Sequence, residues 1–522
     1  MTENTLYTSV TYAEMLVSAL ARYPDRLALV YRDERTSYRG LADTVSRVCQ
    51  ALAALGLQPG DCLAQLSGNR PEAVAVQFAC YVLGLRYVPL HPLGAADDHA
   101  FILNDAGAAA LIYEEQRFEE AAPRIAAQAP GLRHVLSHGR GGCGDGLFAA
   151  AATYPAVPLR PQAATDGIVA QLYTGGTSGR SKGVTLSSQA MVMNVFLTLS
   201  DWEWPDEIRF LCATPITHAS GCMLVPILLR GGTVVLHSGF NAADFLHAVA
   251  AHRITATFLV PTMIYLLLEQ QRIKEIDTSS LETVIYGGAP ISPARLAEAI
   301  DAFGPIFMQI YSQSEAPNCA TVLRRHEHVG GDLVRLSSCG RPLAGITVEL
   351  LDEAAKPVAL GEVGEICFRG PSIMNGYWQR PGETAETLRD GWLHTGDMAY
   401  RDADGFIFIV DRRKDMIVSG GFNVFPREVE DALTAHPAVA AAAVIGVPDE
   451  KWGEAVKAIV VLRPGAATES SELIAYVKAR KGTVAAPKSV DLVSAIPLTA
   501  LGKPDKKVLR AKYWGGQGRQ VH

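Results

Sequence analysis

The chain has 522 residues, of which 48% are hydrophobic and 19% charged. At about 150 residues per domain this length holds three or four domain-sized units, enough to bury its cores without disulfides or structural zinc. The balance excludes a disordered chain, and a net charge of −7 argues against nucleic acid as the main partner while leaving room for a local basic pocket.

The nine cysteines, at 49, 62, 80, 143, 212, 222, 319, 339 and 367, are odd in number and include no CxxC pair. A zinc ribbon or disulfide framework is therefore not expected, and a reducing compartment fits better. The N-terminal MTENTLYTSVTYAEM lacks the basic-then-apolar order of a signal peptide, and no run of about 18 apolar residues suggests a membrane span. The expectation is a cytoplasmic protein.

Residues 12–23 read as an amphipathic helix, followed by the strand LALVY. Residues 40–56 carry Leu41, Val45, Val48, Leu52 and Leu55 on one helical stripe and end at Gly56. The strand CLAQLS comes next, then a helix opening at Pro71 and running through Leu83. Strands and helices alternate in this way to about residue 320, the pattern of a layered α/β domain with parallel strands. From about 340, GITVELLD, GEICFRG and GFIFIVD are short strands between Gly and Asp turns, a smaller β-rich subdomain. A helix at about 426–435, strands AAAVIGV and AVKAIVVL, a helix at about 470–480 and a strand near 489–493 form a compact α+β unit. GRGGCGDG at 139–146 and the tail WGGQGRQVH read as loops.

Five segments carry chemistry. TGGTSGRSKG (174–183) follows the strand-like GIVAQLY but lacks the spacing of the ordinary P-loop. Gly175, Gly176 and Gly179 nevertheless let backbone N–H groups approach an anion, Thr174, Thr177 and Ser178 add hydroxyls, and Lys182 brings positive charge. A surface loop of small residues has the same composition. YGGAP (286–290) and QIYSQSEA (309–316) leave room for a flat ligand, with the Tyr311 ring for stacking and the Glu315 carboxylate for a hard cation such as Mg2+. The plainer alternative is two strand-to-loop turns with a core tyrosine and an exposed glutamate. In 390–430, Asp397 can accept two ribose hydroxyls, Arg412 adds a donor, and Gly420-Gly421 admits something threaded closely past. A surface ion pair at a domain junction is the alternative for Asp397 and Arg412. Finally, Lys503 sits in a Gly-Lys-Pro turn beside Lys506, Lys507 and Arg510, an arrangement that also suits a solvated basic face.

Taken together these segments resemble the acyl-CoA synthetases of the adenylate-forming superfamily, which also holds carrier-linked adenylation domains and beetle luciferases. The resemblance runs from about residue 10 to 512. The family's YTSGTTGxPKG reads YTGGTSGRSKG here, YGxTE reads YSQSE, WxxTGD reads WLHTGD, GRxKD reads DRRKD, and PxTxxGK is intact as PLTALGK. The departures are Gly175 for serine, Ser181 for proline, Ser312 and Asp411 for glycines, and Ser188 for a frequent histidine.

The resemblance implies roles. Thr174 to Lys182 would hold the ATP phosphates. Gly288, Ala289, Pro290 and Tyr311 would hold adenine, Ser314 would touch the α-phosphate, Glu315 would carry Mg2+, and Asp397 and Arg412 would hold ribose. Lys414 would be the hinge between an N-terminal domain, 1–411, with its β-rich subdomain at about 335–411, and a small mobile C-terminal domain, 412–522. Lys503 would be the catalytic lysine of adenylation, with Glu315 and Lys182 beside it in the chemistry. Gly420-Gly421 would line the coenzyme A channel. The implied activity is an ATP-dependent acid–CoA ligase, in which acyl-AMP forms first and acyl-CoA second.

The acyl pocket would be lined by His218, Ala219, Cys222, Met223, Gly287 and Ile310. His218 stands where amino-acid-activating relatives place an aspartate, so an apolar aryl, alicyclic or medium-chain acid is expected. His218 would gate the thioester channel or be a hydrogen-bonded structural histidine. Two rival readings stay open: transfer to the phosphopantetheine arm of a carrier protein, and a non-catalytic nucleotide-binding protein. A monomer or a homodimer fits equally.

Overall fold

The computed structural model describes residues 9–139, 145–174, 181–270, 273–412, 415–419, 422–449, 452–499 and 504–514. It has a large N-terminal domain of several sheets with helices packed on them and a smaller C-terminal domain.

Two large sheets form the N-terminal domain. The first has eight strands, with Cys62–Leu66, Arg86–Leu90 and Ala108–Tyr113 near its centre, paired in parallel. The second has nine, and its central strands Arg209–Cys212, Ala256–Leu259, Thr283–Gly287 and Phe307–Gln313 are also parallel. CLAQL, RYVPL, AAALIY and TVIYG are buried at every position, as strands covered on both faces must be. Helix Tyr38–Ala54 lays Leu41, Val45, Val48 and Leu52 into the main core. Helix Tyr12–Arg22 is fixed by a capping box in which Thr11 Oγ1 accepts from the Glu14 amide and Glu14 accepts from the Thr11 amide.

Both sheets also carry an antiparallel hairpin, where alternation alone suggested parallel strands throughout. Ile168–Thr174 turns back into Lys182–Ser187, with Thr174 opposite Lys182, and Phe307–Gln313 turns back into Ala316–Leu323 around Ser314-Glu315. These hairpins carry the candidate loop at 174–182 and the candidate carboxylate.

The β-rich sheet follows. Trp392–Arg401 pairs with Gly364–Arg369 on one side and Ile407–Arg412 on the other, with a register shift on each side and Gly396 at a φ of +72°. Gly340, at a φ of +86°, joins this sheet to the second large one, and a Cβ there would lie 2.0 Å from the Val322 carbonyl oxygen. Gly340→Ala is therefore expected to cost at least about 3 kcal/mol, because wrong φ and backbone overlap coincide. Gly361→Ala, at a φ of +84° but with nothing within 4 Å, is expected to cost about 1 kcal/mol. Urea unfolding of the two variants checks the contrast.

The C-terminal sheet runs Phe422–Val424, Ile417–Ser419, Gly453–Leu462 and Val439–Asp449, with Ser489–Leu492 also on Gly453–Leu462. Ile417, Val429, Leu433, Val444, Val456 and Leu473 belong to a core of their own. Polar bridges tie the two domains: Thr434 Oγ1 to Ser292 Oγ at 3.0 Å and Arg463 Nη2 to Glu298 Oε1 at 2.8 Å. Among the described residues no helix is long and apolar enough to cross a membrane.

Candidate active site

The hairpin turn of the second sheet meets the middle strand of the β-rich sheet, and there three of the sequence-predicted residues converge. Asp397 is 5% exposed, so a surface ion pair does not describe it. Its Oδ2 accepts from the Tyr311 hydroxyl at 2.6 Å and from Gln313 Nε2 at 2.9 Å, and its Oδ1 lies 3.1 Å from Arg412 Nε. Asp397 and Arg412 face each other as register partners across the sheet. Gln313 Nε2 also donates to the Thr395 carbonyl at 2.9 Å, and the Asp397 amide donates to Thr395 Oγ1, which fixes the bulge. Burial first, then the Asp397 carboxylate, pushes the Tyr311 phenol far above its ordinary value, so it stays a donor. The Tyr311 ring meets Phe368 edge-on, with centroids 5.9 Å apart.

A second group surrounds Glu315, which is 9% exposed rather than a surface residue. Tyr377 donates its hydroxyl to Glu315 Oε1 at 2.7 Å, and the Tyr377 ring lies under Lys182, whose Nζ is 5.0 Å from the centroid. The short strand Gly376–Tyr377 pairs with Lys182–Ser187, so the strand leaving the candidate loop is bound to the residue that orients Glu315. Lys182 also pairs with Glu383, and that ion pair, more than any other contact, holds the Glu383 carboxyl below the usual carboxylate range. Arg380 spans Glu383 and Asp105, at 3.3 and 3.1 Å. Electrostatically the two groups adjoin, since Arg412 is stabilised as a cation by Asp397 first and by Glu315 among others.

The expected acyl-pocket residues divide. His218 Nδ1 lies 2.9 Å from Thr217 Oγ1, and its ring meets His91 edge-on with centroids 5.2 Å apart. The Ala219 carbonyl accepts from Asn318 Nδ2 at 3.3 Å, and the Asn318 amide donates to Ser312 Oγ at 3.0 Å, so this segment and the hairpin form one wall. Gly287 pairs with Ile310, whose carbonyl oxygen would lie 2.4 Å from any added Cβ. Cys222 and Met223 are buried in the main core. Gly288, at a φ of +79°, and Pro290 lie open at the end of their strand, and Ala289 and Ser314 are partly exposed.

Comparison with known proteins decides the lineage. The family model described as AMP-binding enzyme matches residues 16–378, and that of the AMP-binding enzyme C-terminal domain matches 428–503. The chain belongs to the AMP-binding enzyme family. It is 48% identical over 521 residues to a medium/long-chain-fatty-acid–CoA ligase of Mycobacterium tuberculosis, covering 97% of this chain and 91% of the relative. It is 39% identical over 494 residues to a feruloyl-CoA synthase of an Amycolatopsis species, covering 94% and 96%. The solved amide bond synthetase McbA of Marinactinospora thermotolerans superposes with a TM-score of 0.89 at 35% identity, covering 96% of this chain and 99% of that one.

In this AMP-binding enzyme, Gly175, Gly176, Thr177, Ser178, Gly179, Lys414, Gly420, Gly421 and Lys503 lie outside the described residues. The sequence reading passed over Gln313, Tyr377 and Glu383. Gln313 lies inside the quoted YSQSE, and its place two residues after Tyr311 on one strand was the available signal. Nothing local marks Tyr377 or Glu383. Three departures from the family pattern hold structural positions. Buried Ser188 accepts from the Tyr12 amide at 2.8 Å, Ser312 holds the Asn318 amide, and Asp411 accepts from the amides of Arg412 and Arg427.

Proposed function

We propose that this chain is an ATP-dependent carboxylic acid–CoA ligase working through two half-reactions at one site. In the first, a substrate carboxylate oxygen attacks the α-phosphorus of ATP and pyrophosphate leaves, giving acyl-AMP. In the second, the coenzyme A thiol attacks the acyl carbon, loses its proton, and AMP leaves. The observation that carries the reading is the convergence of Tyr311, Gln313 and Arg412 on buried Asp397, next to the Glu315–Tyr377–Lys182 group.

We assign the roles that the resemblance implies, which this geometry supports. Asp397 and Arg412 take the ribose hydroxyls, and the Tyr311 ring, with Gly288, Ala289 and Pro290, flanks the adenine. Thr174, Lys182 and the loop between them hold the phosphates, with Ser314 at the α-phosphate. Lys182 reaches them by exchanging or sharing its contact with Glu383. Glu315 fits Mg2+, because its Oε1 is held by Tyr377 while Oε2 takes no hydrogen bond from the described residues. When bound, Mg2+ neutralises phosphate charge. Tyr377→Phe is expected to lower the adenylation rate at least about tenfold, since a hydrogen bond to a carboxylate is worth about 1.5–3 kcal/mol. Single-turnover acyl-AMP formation across a Mg2+ titration measures it.

We place the domain boundary near 411/412, with Lys414 as hinge. The separate C-terminal core and the polar bridges at Thr434 and Arg463 support a domain able to rotate between half-reactions, withdrawing Lys503 and bringing Gly420-Gly421 to the pantetheine.

For the acid, we propose an apolar aryl, alicyclic or medium-chain carboxylate. The wall at His218 and Ala219 offers no carboxylate to pair an α-ammonium, so an amino acid would be desolvated without a partner. Acetate would forfeit about 0.8 kcal/mol for each missing buried CH2, so four missing groups amount to about 3 kcal/mol, or two orders of magnitude in kcat/KM. A panel of acetate, octanoate, benzoate, cyclohexanecarboxylate and phenylalanine tests this, and acetate or phenylalanine ranking first would overturn it. Offering coenzyme A and a phosphopantetheinylated carrier protein in parallel identifies the acceptor.

A further inference from the structure

A second cluster spans the strand that carries Asp397 and its neighbour Gly364–Arg369. Cys367 on Gly364–Arg369 faces His394 across the sheet, and Glu365, two residues before Cys367, shares its face. The register shift between Glu365 and Cys367 draws all three together. All are buried, and one ligand-capable atom from each lies within 4.8 Å of the other two. His394 Nδ1 is 3.0 Å from Glu365 Oε2 and 3.3 Å from Cys367 Sγ. A ring nitrogen carries one proton, so Nδ1 satisfies one of these neighbours and not both. The far nitrogen, Nε2, is buried with no hydrogen-bond partner among the described residues, so none of them fixes the tautomer from that side.

We propose that Glu365, Cys367 and His394 bind one thiophilic divalent cation of the zinc class. Oxygen, sulfur and nitrogen donors in one buried cluster suit that class and not Mg2+. Bonds of about 2.0–2.3 Å to a shared ion set such donors about 3–4 Å apart, the spacing of His394 Nδ1 from Glu365 Oε2 and from Cys367 Sγ, with the whole set inside 4.8 Å. Binding displaces the Cys367 thiol proton to solvent and places the His394 proton on Nε2. The carboxylate and thiolate then balance the ion's two charges, and a fourth position is left for water. Arg389, with Nη2 3.7 Å from Glu365 Oε2, is the rival cation, but its side chain is 45% exposed and its Nη1 donates to the Glu386 carbonyl at 2.6 Å, outside the cluster. Glu365 Oε1 keeps its bond from the Gly396 amide at 2.8 Å. The ion would therefore brace the bulge leading into Asp397, although the site itself does not depend on the role given to that residue.

The test uses the full chain, stripped of metal by a chelator and titrated with Cd2+ while thiolate-to-cadmium charge-transfer absorption is followed. The expected result is absorption that saturates at one ion per chain. Cys367→Ser should remove it, and His394→Gln, which keeps the thiol, should weaken Cd2+ binding at least about tenfold. Circular dichroism shows whether each variant is folded, and if Cys367→Ser does not fold, the His394→Gln titration decides. Absence of the absorption, or an undiminished signal in folded Cys367→Ser or folded His394→Gln, would overturn the site.

Discussion

Lys503→Ala should slow acyl-AMP formation by orders of magnitude while leaving thioester formation from supplied acyl-AMP nearly intact. Negative charge gathers on the phosphoryl oxygens only in the first half-reaction, so a cation aimed there stabilises one transition state and not the other. Loss of a single group of this kind costs about 10²–10³ in rate. Rapid-quench measurement of each half-reaction separately reads the effect. Equal impairment of both would mean a folding defect or a different role for Lys503.

Asp397→Ala should be the most damaging change on the nucleoside side. It removes the acceptor of the Tyr311 hydroxyl and of one Gln313 proton, and strips Arg412 of its partner. Arg412 is 45% exposed, so the cost falls mainly on the Tyr311 and Gln313 donors, about 1–3 kcal/mol for each one left unpaired, and the ribose contact proposed for Asp397 goes with them, so kcat/KM for ATP should fall by at least about 10²-fold. Asp397→Asn keeps one acceptor oxygen but sets an amide against Gln313 or Arg412, so its loss should be smaller. The pair of variants separates charge from shape, and wild-type ATP kinetics in Asp397→Ala would remove this residue from the site.

The parallel strands were legible because short, mostly apolar runs such as LALVY and CLAQL alternate with helices, and the helix at 38–54 because its leucines and valines repeat with the helical period. The strand Trp392–Arg401 was legible only as a motif. Half its residues are polar and Gly396 has a positive φ, since it is built to present Thr395 and Asp397 rather than to look like a strand. Lys182–Ser187 was hidden for a similar reason, being short and half polar. The candidate groups Tyr311, Glu315, Asp397 and Arg412 stand out in the sequence by residue type and motif. Their support does not. Tyr377 lies 62 residues from Glu315, and Gln313 lies 84 from Asp397, separations over which only the fold brings partners together. Ser188 and Asp411 looked like departures from a pattern because their backbone partners, Tyr12 and Arg427, are invisible in a linear sequence.

The most direct test of the ligase reading is the product balance of one reaction containing ATP, Mg2+, coenzyme A and the best acid of the panel. One AMP and one pyrophosphate are expected for each acyl-CoA formed, with pyrophosphate still released in a first turnover when coenzyme A is omitted. ADP and phosphate as products, or no acid-dependent pyrophosphate at all, would contradict it.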